Sequence, residues 1–207
     1  AYAQQKDVTK FLGIPVDGTK AEMIEKLKAK GFTINPYVND VLDGEFNGTE
    51  VHISIVTNNN KVWRIGLCDA NTMDETNIII RFNRLLRQFE ANPRYRSLGN
   101  QEIPASEDIG HEMLANHKVY EASFIQRPDT AIINRRVKAA LLEKYTEEQL
   151  KNPTEDIDND EISLRWMEIT SSTLNKTVWF KIDEVGTRYR IFMLYDNKLN
   201  QANGEDL

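Results

Sequence analysis

The stretch VLDGEFNGTEVHISIVTNNNKVWRIGLC, Val41 to Cys68, decides the fold. Apolar and polar residues alternate along much of it, which is the period of a β-strand with one buried face. An Asn-Gly pair and the run Asn58 to Asn60 interrupt the alternation, and connections this short join antiparallel neighbours. The stretch therefore predicts three antiparallel strands, Val41 to Phe46, Thr49 to Thr57 and Lys61 to Cys68.

The last two of these strands predict a shared buried face. His52 and Ser54 alternate with apolar residues, so they are expected on the wetter side of the sheet. The residues expected to face the core are Val51, Ile53, Ile55, Trp63, Ile65 and Leu67.

A short strand and a helix are predicted before this stretch. Val8 to Val16 has the composition of one strand, ending in Pro, Asp and Gly. Thr19 and Glu22 then form a T-x-x-E capping box, in which each side chain accepts a hydrogen bond from an unpaired amide of the helix start. Gly31 supplies the left-handed residue that ends the helix.

A longer helix is predicted after the stretch. Thr72 and Glu75 repeat the T-x-x-E pattern, and the helix runs towards Glu90. Its apolar residues recur at helical spacing and predict a stripe wide enough to cover a sheet: Ile78, Phe82, Leu85, Leu86 and Phe89. Its arginines are expected on or beside the opposite, solvated side: Arg81, Arg84 and Arg87.

The remaining segments predict a helix between strands. Lys118 to Gln126 is expected to be a strand, Asp129 to Lys151 a helix, and Thr154 to Glu161 an acidic loop. Two final strands, Thr177 to Glu184 and Thr187 to Tyr195, turn at a glycine. We therefore predict an α+β fold, with an antiparallel sheet, two long amphipathic helices on one face and a helical insert near 129–151.

The domain organisation predicted from this order is one domain over 1–207, with 127–175 as an insert. Because helix and strands follow each other twice, two tandem lobes, 1–70 and 71–207, are the alternative.

Bulk composition excludes several classes of function. The net charge of −6 argues against a nucleic-acid partner, and no apolar run approaches the length of a transmembrane helix. Cys68 is the only cysteine, so an internal disulfide and a thiolate zinc site are excluded. It is expected to be a small buried side chain rather than a nucleophile.

The first five residues, AYAQQ, resemble the end of a secretory signal. Ala1 and Ala3 give the small-x-small pattern at which a signal peptidase cuts before Gln4. We expect an exported protein, in the periplasm or at the cell surface.

The motifs of the sequence predict no catalytic residue, metal ligand or cofactor. His111 and Glu112 begin an H-E-x-x-H pattern, but Ala115 stands where the second histidine is needed. The acidic loop places aspartates at calcium-loop spacing, but Glu161 replaces the glycine and Met167 the closing glutamate.

The final hairpin predicts a candidate binding surface. Val178, Phe180, Ile182, Ile191 and Met193 are expected to face the core. Strand alternation then turns the following side chains outward: Trp179, Lys181, Arg188, Arg190 and Phe192. A surface rich in Trp, Phe and Arg is typical of interaction sites, although an insert folded over it would turn it into a second core layer.

Two motifs near the ends of the chain carry a family resemblance. Gly13 to Thr19 reads GIPVDGT, and Tyr195 to Leu207 reads YDNKLNQANGEDL. These motifs, with a broadly similar region from Phe82 to Gln126, resemble a group of exported proteins of gut Bacteroides species with no known activity. The order of elements also loosely resembles the architecture of beta-lactamase inhibitor protein. Neither resemblance assigns a catalytic residue.

These features favour a non-enzymatic exported module that binds a protein, peptide or glycan fragment through the open sheet face. A hydrolase whose site assembles only in three dimensions is one alternative. An envelope structural or assembly protein is the other.

Overall fold

Eight strands form one continuous antiparallel sheet in the computed structural model, which describes residues 6–151, 159–171, 174–202 and 204. Two further short strands form a separate hairpin. In chain order the strands are β1 (Lys10–Phe11), β2 (Ile14–Pro15), β3 (Thr33–Ile34), β4 (Val41–Phe46), β5 (Thr49–Asn58), β6 (Lys61–Asp69), β7 (Tyr95–Ser97), β8 (Glu121–Gln126), β9 (Lys176–Val185) and β10 (Arg188–Asn197). The order in the large sheet is β3-β4-β5-β6-β10-β9-β8-β7, so four strands from the first part of the chain and four from the later part form two blocks that join where β6 pairs with β10.

Helices pack on one face of this sheet, and others form the insert. They are α1 (Lys20–Ala29), α2 (Glu75–Ala91), α3 (Ile109–Ala115), α4 (Thr130–Leu141), α5 (Glu147–Lys151) and α6 (Asn159–Ser171). Met23 and Leu27 of α1 and Ile78 and Phe82 of α2 join the same buried cluster as the sheet. The predicted α+β class, with its antiparallel sheet, is therefore confirmed.

The strands predicted from the opening stretch agree with the structure. β4 has the predicted bounds, and β5 and β6 each extend one residue further. The final hairpin also forms, as β9 and β10, around Gly186 in a left-handed conformation (φ 64°). Local alternation and turn chemistry were enough to predict these elements.

The predicted strand from Val8 to Val16 is wrong. The chain instead reverses at Leu12 and Gly13, both at positive φ, and forms the β1–β2 hairpin. Phe11 is fully buried against Phe46 and Tyr195. The chain therefore forms a hairpin here, and not one extended strand, because the reversal lets Phe11 pack into the core.

The cap of α1 is as predicted, and the cap of α2 is not. Thr19 and Glu22 exchange both hydrogen bonds of a capping box. In α2 the cap is Asp74, whose carboxylate accepts a hydrogen bond from the Asn77 amide at 2.8 Å. Thr72 lies outside the helix, and its hydroxyl accepts a hydrogen bond from Arg188.

Arg81 does not lie on a solvated helix face as predicted. Its guanidinium is buried and donates two hydrogen bonds of 2.7 Å to the Asp69 carboxylate of β6. Asp69 also accepts from the Ile191 amide at 3.1 Å, so one carboxylate connects α2, β6 and β10. Arg84 is exposed, as expected.

The insert contains two separate helices where one was predicted. Between Asp129 and Lys151 the structure has α4 and α5 instead of one helix. α6 was not predicted. It begins at Asn159, within the stretch that was expected to be an acidic loop. Residues 154–158 of that loop lie outside the described residues. The insert buries its own apolar cluster of Ile133, Val137 and Leu141, with Tyr145, Leu150, Ile162 and Ile169 packed against it.

Two further elements, β7 and α3, lie where the sequence pattern was weak, and the predicted strand from Lys118 begins only at Glu121. Among the described residues, no helix combines the length and the apolar character needed to cross a bilayer.

The two motifs that carry the family resemblance lie against each other. Asn197 Nδ2 donates to the Val16 carbonyl at 2.8 Å, and Asn200 Nδ2 donates to Asp17 Oδ1 at 2.7 Å. The amides of the C-terminal motif therefore hold the N-terminal motif in place. Asn197 Oδ1 also accepts from the Leu199 amide in the following turn, at 3.1 Å, and the Asp196 carboxylate binds Arg64.

Candidate functional site

The face of the sheet opposite α1 and α2, here called the outer face, carries most of the predicted binding residues. Strand register places Trp179, Lys181, Arg190 and Phe192 together on it, all half-buried. The inward neighbours predicted for the core, such as Val178, Phe180 and Ile191, are buried. The side chains of β9 and β10 therefore alternate between the two faces as predicted.

Arg188 differs from the other four candidate residues. It stands at the hairpin end of β10, where Nε donates to the Thr72 hydroxyl and a terminal nitrogen donates to the Thr72 carbonyl, both at 3.0 Å. Its guanidinium is therefore engaged with the loop that precedes α2, at the edge of the outer face.

The centre of the outer face is a stack of an arginine and two tryptophans, here called the Trp-Arg stack: Trp63, Arg64 and Trp179, with Asp196 beneath. Arg64 Cζ lies 4.3 Å from the Trp63 ring centroid and 5.9 Å from that of Trp179. Both distances fall within the range of cation–π attraction. The charge is therefore held between two aromatic rings.

A buried carboxylate fixes this stack. Arg64 donates to both oxygens of Asp196, at 2.6 and 2.7 Å, and Trp179 Nε1 donates to the same carboxylate at 3.4 Å. Such a bidentate pair fixes both distance and orientation. The stack is therefore preorganised and close to electrically neutral, and its two half-buried tryptophans and part of the Arg64 side chain reach solvent.

Trp63 was wrongly predicted to face the core. Between Val56 and Thr57 the register of β5 against β6 shifts by one residue, which leaves Trp63 as the extra residue of a bulge. A bulge interrupts strict alternation and redirects a side chain. Trp63 is only half-buried, and its ring contacts Arg64.

Sequence reasoning missed Trp63, Arg64 and Asp196 as part of this site. Arg64 and Asp196 are 132 positions apart and become cross-strand neighbours only when β6 pairs with β10. The Trp63-Arg64 pair can be seen in the sequence, but no local pattern predicts the bulge in β6 or the pairing of β6 with β10.

The charged residues around the stack form its rim. Arg190 Nε donates to Asp183 Oδ2 at 2.9 Å. Lys181 lies opposite Phe192 on one side and Glu121 on the other, and its amine has no hydrogen bond or ion pair with another residue in the described ranges. The rim therefore presents both signs of charge around an aromatic centre.

A second polar group crosses β4, β5 and β6 on the same face. Asp43, His52 and Cys68 occupy consecutive register positions, and His52 Nδ1 lies 2.6 Å from Asp43 Oδ1. Hydrogen bonds from Asn35, and then from His52, lower the pKa of Asp43. An aspartate beside a histidine ring also occurs as the acid–imidazole half of catalytic triads, so we compared Cys68 with the nucleophile of such a triad.

The third member does not act as a nucleophile in this geometry. No hydrogen bond joins the Cys68 thiol to the His52 ring, and burial raises the pKa of that thiol despite the nearby Arg190. A cysteine nucleophile needs a lowered pKa and a paired base. The arrangement can hold the histidine in one orientation but does not activate the sulfur.

The same carboxylate organises an exposed loop. Asn35 Nδ2 donates to both oxygens of Asp43, and Asn35 Oδ1 accepts from the amides of Tyr37 and Val38 at 2.8 Å each. Tyr37 is 93% exposed at the tip. A rigid loop therefore presents a large aromatic side chain beside the outer face.

Within the described residues, no group of three or more His, Cys, Asp or Glu side chains is arranged to hold a metal ion. Much of the acidic loop that resembled a calcium loop, 154–158, lies outside that part of the chain.

Comparison of the chain with protein-family models, with curated proteins and with solved structures gave no match, so the assignment of this site depends on its own geometry.

Proposed function

We propose that this protein is a non-enzymatic binding module whose outer face binds a protein or peptide partner. The observation that carries the proposal is the Trp-Arg stack, two tryptophan rings held around a neutralised guanidinium. Tryptophan and arginine are the side chains most enriched among residues that dominate binding energy. A stack already fixed in the free protein loses little rotamer freedom when a partner covers it.

The surroundings of the stack support a protein partner over a glycan. Protein interfaces combine an aromatic centre with a polar rim of both charges, and Lys181, Glu121 and the Arg190–Asp183 pair supply such a rim. The loop tip at Tyr37 adds a second exposed aromatic anchor. Glycan binding through the same tryptophans is the competing proposal. Peptide selection and a glycan array distinguish the two kinds of partner.

We further propose that the module works outside the cytoplasm, in the periplasm or at the cell surface. The support is the Ala1-Tyr2-Ala3 pattern and the resemblance to exported Bacteroides proteins. Cell fractionation of the native host, with detection of the chain in the envelope or external fraction, tests this part.

Selection of a displayed random peptide library on the immobilised protein tests the binding proposal. We expect enriched peptides whose affinity falls at least tenfold when Trp179→Ala removes one ring of the stack. The matched control is Trp166→Ala, which removes a half-exposed tryptophan from α6, a helix that packs mainly on α4. Enriched peptides should bind this control as they bind the unaltered protein.

Three outcomes contradict the proposal. Peptides that bind the Trp179→Ala variant as tightly as the unaltered protein would place binding elsewhere. Trp179-dependent binding on a glycan array, with no enriched peptide, would support the glycan proposal instead. Unfolding of Trp179→Ala in the absence of any partner would mean that the stack serves the core.

A further inference from the structure

A cleft lies on the other side of the sheet from the outer face. It has a volume of about 920 Å³ and lies between the β1–β2 hairpin, the β4–β5 turn, the C-terminal end of α2 and the start of α4. Small-molecule sites have volumes of about 300–1,000 Å³. This cleft, here called the hairpin cleft, is therefore large enough for a small organic ligand.

The inner wall of the hairpin cleft is mainly aromatic. Phe46, Phe89, Tyr95 and Tyr195 line it, with the Phe89 and Tyr95 ring centroids 4.8 Å apart. Burial, together with a hydrogen bond to Tyr95, raises the pKa of Tyr195 well above its usual value. The wall is therefore uncharged and suits an apolar or aromatic group.

One side of the mouth is held in a strained conformation. Leu12, which lines the cleft, has φ of 50°, in the left-handed region that a branched side chain rarely adopts, and is 38% exposed. Glycine or asparagine would fit this turn position with less strain. Strained residues of this kind cluster at ligand clamps, and here the strain presents an apolar side chain at the mouth.

Two arginines line the other side of the mouth without a counter-charge. The Arg127 amide donates to the Arg94 carbonyl at 2.7 Å, so the two residues are neighbours just beyond the end of the β7–β8 ladder. Both are exposed, and neither guanidinium has a hydrogen bond or ion pair with another residue that the structure describes. Like charges opposite each other on adjacent strands repel.

The other cations of the hairpin cleft are already neutralised. Lys10 lies 3.5 Å from Asp129, and the buried Lys176 lies 2.9 Å from Asp7. Lys176 also donates to the Arg127 carbonyl. The charge left over at the mouth is therefore that of the two guanidiniums.

We propose that the hairpin cleft binds a small molecule with an apolar or aromatic body and one oxyanion group. The aromatic wall packs against the body, while Arg94 and Arg127 bind the anion. Guanidinium groups match carboxylates, sulfonates and phosphates through paired hydrogen bonds. This site does not depend on the outer-face proposal.

Two fluorescent probes with the same aromatic body test the inference: anilinonaphthalenesulfonate, which carries an anion, and phenylnaphthylamine, which does not. We expect saturable binding of both to the full chain. In the double variant Arg94→Ala/Arg127→Ala, the Kd of the sulfonate should rise at least tenfold, and that of the uncharged probe should stay within twofold. Displacement by benzoate or by phenyl phosphate then identifies the preferred anion.

Matched variants separate the charge effect from other causes. Arg84→Ala/Arg96→Ala removes the same charge from exposed positions outside the cleft and should leave both Kd values unchanged. Leu12→Gly relieves the strained turn, so the thermal midpoint should hold or rise while both probes bind more weakly. Trp179→Ala on the outer face should change neither Kd.

Three results would overturn the inference. If both arginine double variants lose sulfonate affinity equally, the loss comes from the change in net charge and not from arginines in the cleft. Dependence of either probe on Trp179 would move the binding to the outer face. Absence of saturable binding to the unaltered protein would leave the cleft without a ligand of this class.

Discussion

The two faces of the sheet each contain one bidentate arginine–aspartate pair, and the pairs serve different ends. On the helix-covered face, Arg81 and Asp69 are 8% and 3% exposed. On the outer face, Arg64 and Asp196 are 26% and 6% exposed. The geometry of the two pairs is nearly the same, with all four bonds between 2.6 and 2.7 Å.

The partners of each pair explain the difference. Asp69 also accepts from the Ile191 amide, so the covered pair fastens α2 to two strands. Asp196 instead accepts from the Trp179 indole, while Arg64 lies against two rings. One pair therefore holds the fold together, and the other shapes a surface. The same ionic contact acquires its role from what surrounds it.

Removing Arg81 should produce the largest loss of stability. Arg81→Ala leaves the Asp69 carboxylate buried without its counter-charge, which costs about 3–5 kcal/mol in other buried pairs. Urea denaturation measures the free energy of unfolding. Arg84→Ala, on the exposed side of the same helix, should change it by less than about 0.5 kcal/mol. A loss below about 1 kcal/mol for Arg81→Ala would contradict the anchoring role.

Removing Arg64 should cost less than removing Arg81. Arg64 is 26% exposed and Arg81 only 8%, so water reaches the Asp196 carboxylate more easily once the arginine is removed, and we expect a loss of about 1–2 kcal/mol in the free energy of unfolding. Tryptophan fluorescence should also change, because Trp63 and Trp179 lose the cation between them. If Arg64→Ala and Arg81→Ala lower the free energy of unfolding equally, the two ion pairs do not differ in their role in stability.

Alkaline pH should destabilise the protein through Tyr195, which lies on the helix-covered face of the sheet. Burial first, and then the Tyr95 hydroxyl, raise the pKa of Tyr195 above the ordinary 10.0, so the unfolded chain loses this proton at lower pH than the folded protein does. Stability from this group is complete below pH 10 and falls as the pH rises further. The slope from one such group approaches about 1.4 kcal/mol per pH unit.

Denaturation between neutral pH and pH 11 tests this slope. Tyr195→Phe should flatten the decline above pH 10, whereas Tyr37→Phe, which removes a phenol that is 93% exposed, should leave it unchanged. An identical decline in both variants would show that Tyr195 is not the group responsible.

The smallest effect concerns Cys68 on the outer face. Burial raises the pKa of its thiol above the ordinary 9.0, so reaction with a disulfide reagent should show a rate–pH midpoint above that value. Arg190→Ala removes the nearby cation that lowers this pKa, and should move the midpoint further up. A midpoint near neutral pH would instead support a thiol nucleophile beside His52 and Asp43.

Sequence patterns predicted β4 to β6, the final hairpin and the start of the first helix well because their signals are local. Alternation from Val41 to Cys68 and the short turns determine β4 to β6, and Thr19 with Glu22 determines the start of α1. The outward placement of Trp179 and Phe192 followed from the same alternation. About half of the candidate site was therefore accessible without a structure.

The failures occurred where a distant residue overruled a local pattern. Arg81 has the spacing of a solvated face, but Asp69 lies within reach only after α2 packs on the sheet. Thr72 had the pattern of a helix cap, but Asp74 caps α2, and Arg188 holds Thr72 instead. Trp63 follows the alternation of the core until a bulge redirects it.

The sequence by itself determined the class of fold and the direction of most strand side chains, because the period of a strand is a property of neighbouring residues. Only the tertiary structure decided which arginine is buried, which tryptophans meet around Arg64, and where the hairpin cleft opens. Asp7 and Lys176 are 169 positions apart, and Arg64 and Asp196 are 132 apart. Contacts at such separations depend on strand order, which no local pattern encodes.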